Sequence, residues 1–238
     1  MKAKTKKERR QQFFTVLKTS LGKKTLSAEA SEKLEAETKS YQNFSYTPQP
    51  LSDEEKLAQF KQFMSSQSTE IYECKKDQVI EKVAEVLNEK PYSSEILIGN
   101  NSFIKDLKEK TNSQLVFKEV GKFEERHNLN ISLTTAFAAA SETGTLFLSS
   151  GNENPTWLNY LATCNIVLLD QSTLFQTYEQ AFEMGENEAE HQGIQFPPRS
   201  INMISGPSRT ADIEQTLTLG AHGPIELIVV LYRTDSEE

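Results

Sequence analysis

Cysteine is scarce in this chain: Cys74 and Cys164 are the only two among 238 residues. They stand far apart, and neither has a second Cys or a His at ligand spacing. That argues against a disulfide framework, a zinc site or an iron–sulfur cluster held within the chain. Cys164, just ahead of the apolar run Ile166-Val-Leu-Leu169, reads as a buried small hydrophobe. Long apolar runs are lacking as well. The stretch Glu226-Leu-Ile-Val-Val-Leu-Tyr232 is far shorter than the ~20 residues of a membrane-spanning helix, and it is β-branched like a strand. Basic charge is in deficit, with a formal net charge of -8 at pH 7, which would repel a phosphate backbone and removes nucleic acid as an expected partner. The basic start Met1-Lys-Ala-Lys-Thr-Lys-Lys-Glu-Arg-Arg10 has no apolar segment or small-residue cleavage site of a secretory signal, so a cytoplasmic location is expected.

What remains is enough apolar residue, 37%, for one sizeable core. Residues 1–50 are expected to form an appendage. Phe13, Phe14, Leu17 and Leu21 recur at helical spacing as a narrow amphipathic stripe, suited to covering the main domain, docking a partner or pairing with a second copy. Lys2, Lys4, Lys6 and Lys7 are read as a solvated basic cluster, and the stretch from Ser27 to Pro50 as a linker. The main domain, 51–238, opens at Ser52, which with Glu55 has the form of a capping box.

From there strands and helices alternate. Strands are expected at Thr69–Glu73, Glu95–Gly99, Gln114–Phe117, Thr145–Leu148, Asn165–Leu169, Ile201–Ser205 and Leu227–Tyr232. Helices fit between them, one capped by Asp77, one from Phe103 to Lys110 and a long one from Gln171 to Glu190. Apolar strand runs in β–α–β order predict an open, mostly parallel sheet with helices on both faces.

Two segments have the character of strand-end ligand loops. In Thr135-Ala-Phe-Ala-Ala-Ala-Ser-Glu-Thr-Gly-Thr145, small residues permit close backbone approach, and Gly144 permits a turn before a strand. Glu142 there stands among Ser141, Thr143 and Thr145. In Ser205-Gly-Pro-Ser-Arg-Thr-Ala-Asp212, Gly206 and Pro207 make a turn that would open a helix. Ser208 and Thr210 offer hydroxyls, and Arg209 offers a two-pronged donor for a carboxylate or phosphate. His222, between Gly220-Ala and Gly223, is a candidate proton donor or ligand anchor. The plainer alternative is that these residues serve turns and caps, with Arg209 paired to Asp212 or Glu214. His127 and His191 lie in polar contexts and read as surface residues.

Ser141-Glu-Thr-Gly-Thr-Leu-Phe-Leu148, Gly206-Pro-Ser-Arg-Thr-Ala-Asp-Ile-Glu214 and Leu219-Gly-Ala-His-Gly-Pro224 together resemble the LUD domain of the lactate-utilisation protein C family. The resemblance implies the open α/β fold shared by sugar-phosphate isomerases and coenzyme A transferases. It also implies a role in bacterial oxidation of L-lactate, as a cluster-free accessory or regulatory subunit beside iron–sulfur oxidoreductase partners. Cofactors are thus expected in the partners alone, and a homodimer is an open possibility. On this view Arg209 grips a small organic anion, backbone N–H groups near Gly144 and Ser208 assist, and Glu142 or His222 exchanges a proton. A rival comes from Ser141-Glu-Thr-Gly144, which is similar to the Ser-Glu-Asn-Gly motif of some coenzyme A transferases. It would make Glu142 an acyl-accepting nucleophile or place it in sugar-phosphate chemistry.

Overall fold

A computed structural model describes residues 48–92, 95–111, 113–119, 130–192, 196–211 and 217–234, with the side chains of 188, 190–192, 210, 211, 217 and 218 left aside. The expected amino-terminal helix with its basic cluster, most of the linker, His127, Asp212 and Glu214 lie outside the described residues, as does the side chain of His191.

Helix α1 (Asp53–Ser66) begins at the capping box: the Glu55 N–H donates to Ser52 Oγ at 3.2 Å, and the Ser52 N–H donates to Glu55 Oε2 at 2.8 Å. Then follow β1 (Glu70–Lys75), α2 (Val79–Asn88), β2 (Glu95–Ile98), α3 (Ser102–Glu109), β3 (Val116–Glu119) and β4 (Ile131–Thr135). A hairpin of β5 (Ala138–Ala140) and β6 (Thr145–Ser149) leads through the short α4 (Leu158–Leu161) to β7 (Cys164–Asp170). The chain closes with β8 (Leu174–Phe175), α5 (Tyr178–Gln192), β9 (Ile201–Ile204), β10 (Arg209–Ala211), β11 (Leu217–Leu219) and β12 (Glu226–Arg233).

Six strands form one sheet in the order β1-β12-β7-β4-β2-β3, every neighbouring pair parallel. Its two faces are assigned by the alternation of strand side chains. Ile96, Ile98, Ile131, Leu133, Ile166, Leu168, Ile228 and Val230 point to one face, against Val79, Ile80 and Val83 of α2 and Ile104 and Leu107 of α3. Val167, Leu169, Leu227, Val229 and Leu231 point to the other, against Phe60 and Met64 of α1 and Leu146 and Leu148 of a second sheet. That second sheet runs β8-β5-β6-β9. Its outer side, with Ala138, Ala140 and Phe147, is covered by Ala181, Phe182 and Met184 of α5. The expected open parallel sheet with helical cover on both faces is therefore present, and on the second face a small mixed sheet shares the cover.

Four local expectations differ. The span from Gln171 to Glu190 is a 3-10 turn, then β8, then α5, because Thr177 and Gln180 start the helix late: Gln180 Oε1 accepts the N–H groups of Gln176 and Thr177, and Thr177 Oγ1 accepts that of Gln180. Ala138–Ala140 is a strand rather than loop; three alanines with no exposure fit where two layers approach closely. Asp77 caps nothing, since it sits inside a 3-10 turn (Lys76–Gln78) that runs into α2. Residues after Ser208 form a hairpin strand instead of a helix, with Arg209 in register with Leu219 and Thr210 with Thr218. The cause is next door: the Ser208 N–H donates to Pro224 O at 2.8 Å, and Gly220 N–H donates to Ser208 O at 3.0 Å, which draws the segment into an extended ladder.

Connections from β1 to β2 and from β2 to β3 carry α2 and α3 over the first face. Those from β4 to β7 and from β7 to β12 carry the second sheet over the other. The chain thus departs in opposite directions from the adjacent carboxyl ends of β2 and β4.

Candidate functional site

The turn Ser141–Gly144 joins β5 to β6 and is held from three sides. Gly144 has φ +59°, and a Cβ there would stand 2.7 Å from Phe63 Cβ, so α1 packs directly on the turn. Ser141 Oγ donates to Gln59 Oε1 at 2.7 Å. Glu142 Oε1 accepts the N–H of Tyr178, the first residue of α5, at 3.2 Å, which places a carboxylate on the positive end of that helix. Thr145, fully buried, lies within hydrogen-bond distance of the hydroxyls of Thr143 (2.8 Å), Tyr178 (2.9 Å) and Ser205 (2.7 Å).

That last contact ties the first segment to the second. A Cβ on Gly206 would stand 2.8 Å from Gln67 Cβ, just past the end of α1. Arg209 donates through Nη2 to Gln67 O at 2.9 Å and to Ser68 Oγ at 2.6 Å. The loop Gly220–Pro224 folds over Ser208: the His222 N–H donates to Ser208 Oγ at 3.1 Å, and Gly223 abuts Ser208 on one side and Tyr160 on the other.

Ser141, Thr143, Gly144, Thr145 and Gly206 are thus gathered along the carboxy-terminal half of α1, while Ser208, Arg209, His222 and Gly223 form one exposed loop pair. Glu142 and Arg209 each hold a different partner. Among the described residues no ion pair or hydrogen bond joins them; the carboxylate turns to α5 and the guanidinium to the end of α1. The Gly144 and Ser208 N–H groups are also occupied, by Ser141 O and Pro224 O. Thr210 contributes its backbone to β10.

A third place was missed in sequence. Beyond the carboxyl end of β4, a cavity of about 380 Å³ opens between Thr135–Phe137, the loop Ser149–Asn154, α5 and Phe196. Gly99 has Glu153 O so near that a Cβ would fall 2.2 Å from it. Asn154 acts as a substitute strand partner for Thr135, accepting its N–H at 3.3 Å and donating to its carbonyl at 2.7 Å. The available signal was a pair of polar runs, Gly99-Asn-Asn101 and Ser149-Ser-Gly-Asn-Glu-Asn154, each directly after a buried strand.

Neither cysteine is set up as a nucleophile. Burial pushes the Cys74 thiol up to about 11 and the Cys164 thiol to about 12. No group of three or more potential metal ligands occurs among the described residues, and no described helix is long and apolar enough to cross a membrane.

An all-parallel open sheet, with helices on one face and a helix and small sheet on the other, defines an open α/β protein. The family model of the LUD domain matches residues 57–232, and the chain belongs to that family. An uncharacterized protein from Neisseria meningitidis serogroup B is 36% identical over 108 residues, which are 45% of this chain and 44% of that one. Lactate utilization protein C from Halalkalibacterium halodurans is 35% identical over 109 residues, 45% of this chain and 46% of that protein. The chain thus spans less than half the length of these relatives. Lactate utilization protein C from Macrococcus caseolyticus is 25% identical over 87% of this chain and 91% of its own length. The crystal structure of a DUF162 family protein from Deinococcus radiodurans shares the fold, with a TM-score of 0.58 at 18% identity, over 77% of this chain and 99% of that one.

Proposed function

We propose that this protein serves bacterial lactate utilisation as a subunit that binds a small organic anion beside Arg209 and docks on iron–sulfur oxidoreductase partners. The carrying observation is its membership of the LUD domain family, together with relatives called Lactate utilization protein C. Two cysteines cannot supply the four thiolates of a usual cluster, which favours partners as the carriers of electrons.

The loop pair around Ser208 supports docking. Leu219 is 50% exposed and Ile225 46%, and they flank Gly220, which abuts Ile225; Tyr160, 43% exposed, abuts Gly223, and Leu161 follows it at 50%. Large apolar side chains grouped around polar loops, with Arg209 and His222 at hand, suit a partner surface. Arg209 makes its two contacts through Nη2, and among the described residues no partner takes Nε or Nη1, which suits an anion. The second reading, acyl transfer by Glu142, has less behind it, because Glu142 Oε1 accepts from the first N–H of α5.

The test is growth of the native host on L-lactate as sole carbon source after deletion of the gene. Loss of growth, restored by the wild-type gene and poorly by Arg209→Gln, is the expected result. Wild-type growth of the deletion strain overturns the proposal.

A further inference from the structure

Between the two sheets we infer an internal water site, held by the carboxamides of Asn159, Asn165 and Asn202. It goes beyond the lactate reading and does not depend on it. Most of the layer between the sheets is apolar, with Val167, Leu169, Leu227, Val229, Leu146 and Leu148 in it. Its margin beside α4 is polar. Ser132 and Thr134 of β4 and Asn165 of β7 alternate along their strands with residues of the first face, so their side chains enter the same layer as Val167. Asn202 of β9 stands opposite Leu148 of β6 and shares its inward face. Asn159 follows Leu158 in α4. The Leu158 carbonyl accepts Ser132 Oγ at 2.8 Å, which sets α4 over β4, and Ser132 is in register with Asn165. Tyr160, next along α4, donates through its hydroxyl to Asn202 Oδ1 at 3.1 Å. The short helix thus joins all three asparagines.

All three are shut away from bulk solvent: Asn165 has no exposure, Asn159 1% and Asn202 7%. Asn165 Oδ1 accepts the Thr134 hydroxyl at 3.0 Å, and Asn202 Oδ1 accepts that of Tyr160. Among the described residues, however, nothing pairs with Nδ2 of Asn165, with Nδ2 of Asn202 or with either polar atom of Asn159. Reversing an amide would only exchange the end left over. A buried amide left unpaired forfeits its hydration without return, so native interiors pair nearly all such groups with protein or with ordered water. The four atoms decide the ligand. Three amide groups call for acceptors and one carbonyl, Asn159 Oδ1, calls for a donor; water supplies both and is small enough for an enclosed place. An anion would leave that carbonyl unmet, and an apolar guest would meet none of the four. The site lies behind Tyr160, which abuts Gly223 of the exposed loop pair, so the enclosed water backs the surface offered to a partner.

The test uses the full chain. A high-resolution crystal structure is expected to show ordered water within hydrogen-bond distance of the Asn159 carboxamide and of Nδ2 of Asn165 or Asn202. Oxygen-17 relaxation dispersion reads the same water in solution by its long residence. Asn159→Leu, similar in volume and without polar atoms, is expected to remove the water from the density and to lower the dispersion amplitude. Both wild-type readings stand whether or not that variant folds. The inference is overturned if the crystal shows the carboxamides paired directly with protein groups and no water between them. It is overturned as well if wild type gives no long-lived water, or if Asn159→Leu leaves density and amplitude unchanged.

Discussion

Glu142, a candidate for chemistry in sequence, also has a structural contact at the start of α5. Its Oε1 sits on the Tyr178 N–H, so Glu142→Gln keeps the shape but removes the charge from the start of α5 and should lower stability by about 1 kcal/mol in urea unfolding. The same variant should support lactate growth at the wild-type rate, whereas a nucleophile would not survive the change. Arg209 was legible as an exposed donor, but its contacts to Gln67 O and Ser68 Oγ depend on where α1 ends, which no local pattern encodes. The thiols allow a simple check: at pH 8 iodoacetamide should leave Cys164 unmodified in the native protein and label both cysteines after denaturation. Mass spectrometry reads the result, and ready native labelling of Cys164 would contradict its burial.

Among the elements, strands with dense β-branched runs were easy to read, and so was α1 with its capping box, because each signal is local. What failed was what the second sheet required. Ala138-Ala-Ala140 has no strand propensity to speak of and becomes β5 through the layers on both its sides, and β10 exists because Ser208 is bonded to Pro224 and Gly220. Gly144 is the corner of that second sheet. Gly144→Ala should destabilise by more than about 1 kcal/mol, since it combines a left-handed φ with a Cβ pressed on Phe63. At the other edge of the large sheet, Lys90 reaches Glu70 of β1 by a short contact, with Glu226 of β12 at 3.7 Å. The Lys90 ammonium, through its hydrogen bond, holds the Glu70 carboxyl below its ordinary 4.5. A depressed folded value stabilises the protein above pH 4.5 and loses that contribution as pH falls through the folded value. Glu70→Gln should therefore cost stability at pH 7 and cost less at pH 3, as measured by denaturant midpoints; an equal cost at both would contradict the pairing.

At the scale of the whole molecule, the sheet divides its carboxyl edge from its loop surface. The cavity beside Thr135–Phe137 lies beyond the carboxyl end of β4, whereas Ser208, Arg209, His222, Leu219 and Ile225 belong to a separate loop pair. Sequence pointed to the loop pair because its motif is continuous. It passed over the cavity because that place is assembled from residues near 135, 150, 185 and 196, which only the folded topology brings together. A protein that served as a partner-bound subunit would need such a loop surface free of its own core. The most direct measurement is affinity purification of the tagged chain from its native host grown on L-lactate, comparing wild type with Leu219→Asp/Ile225→Asp. The account predicts iron–sulfur oxidoreductases in stoichiometric yield with wild type and at least tenfold less with the double variant, which should remain folded because both positions are about half exposed. Recovery of the wild-type chain free of any such partner would contradict it.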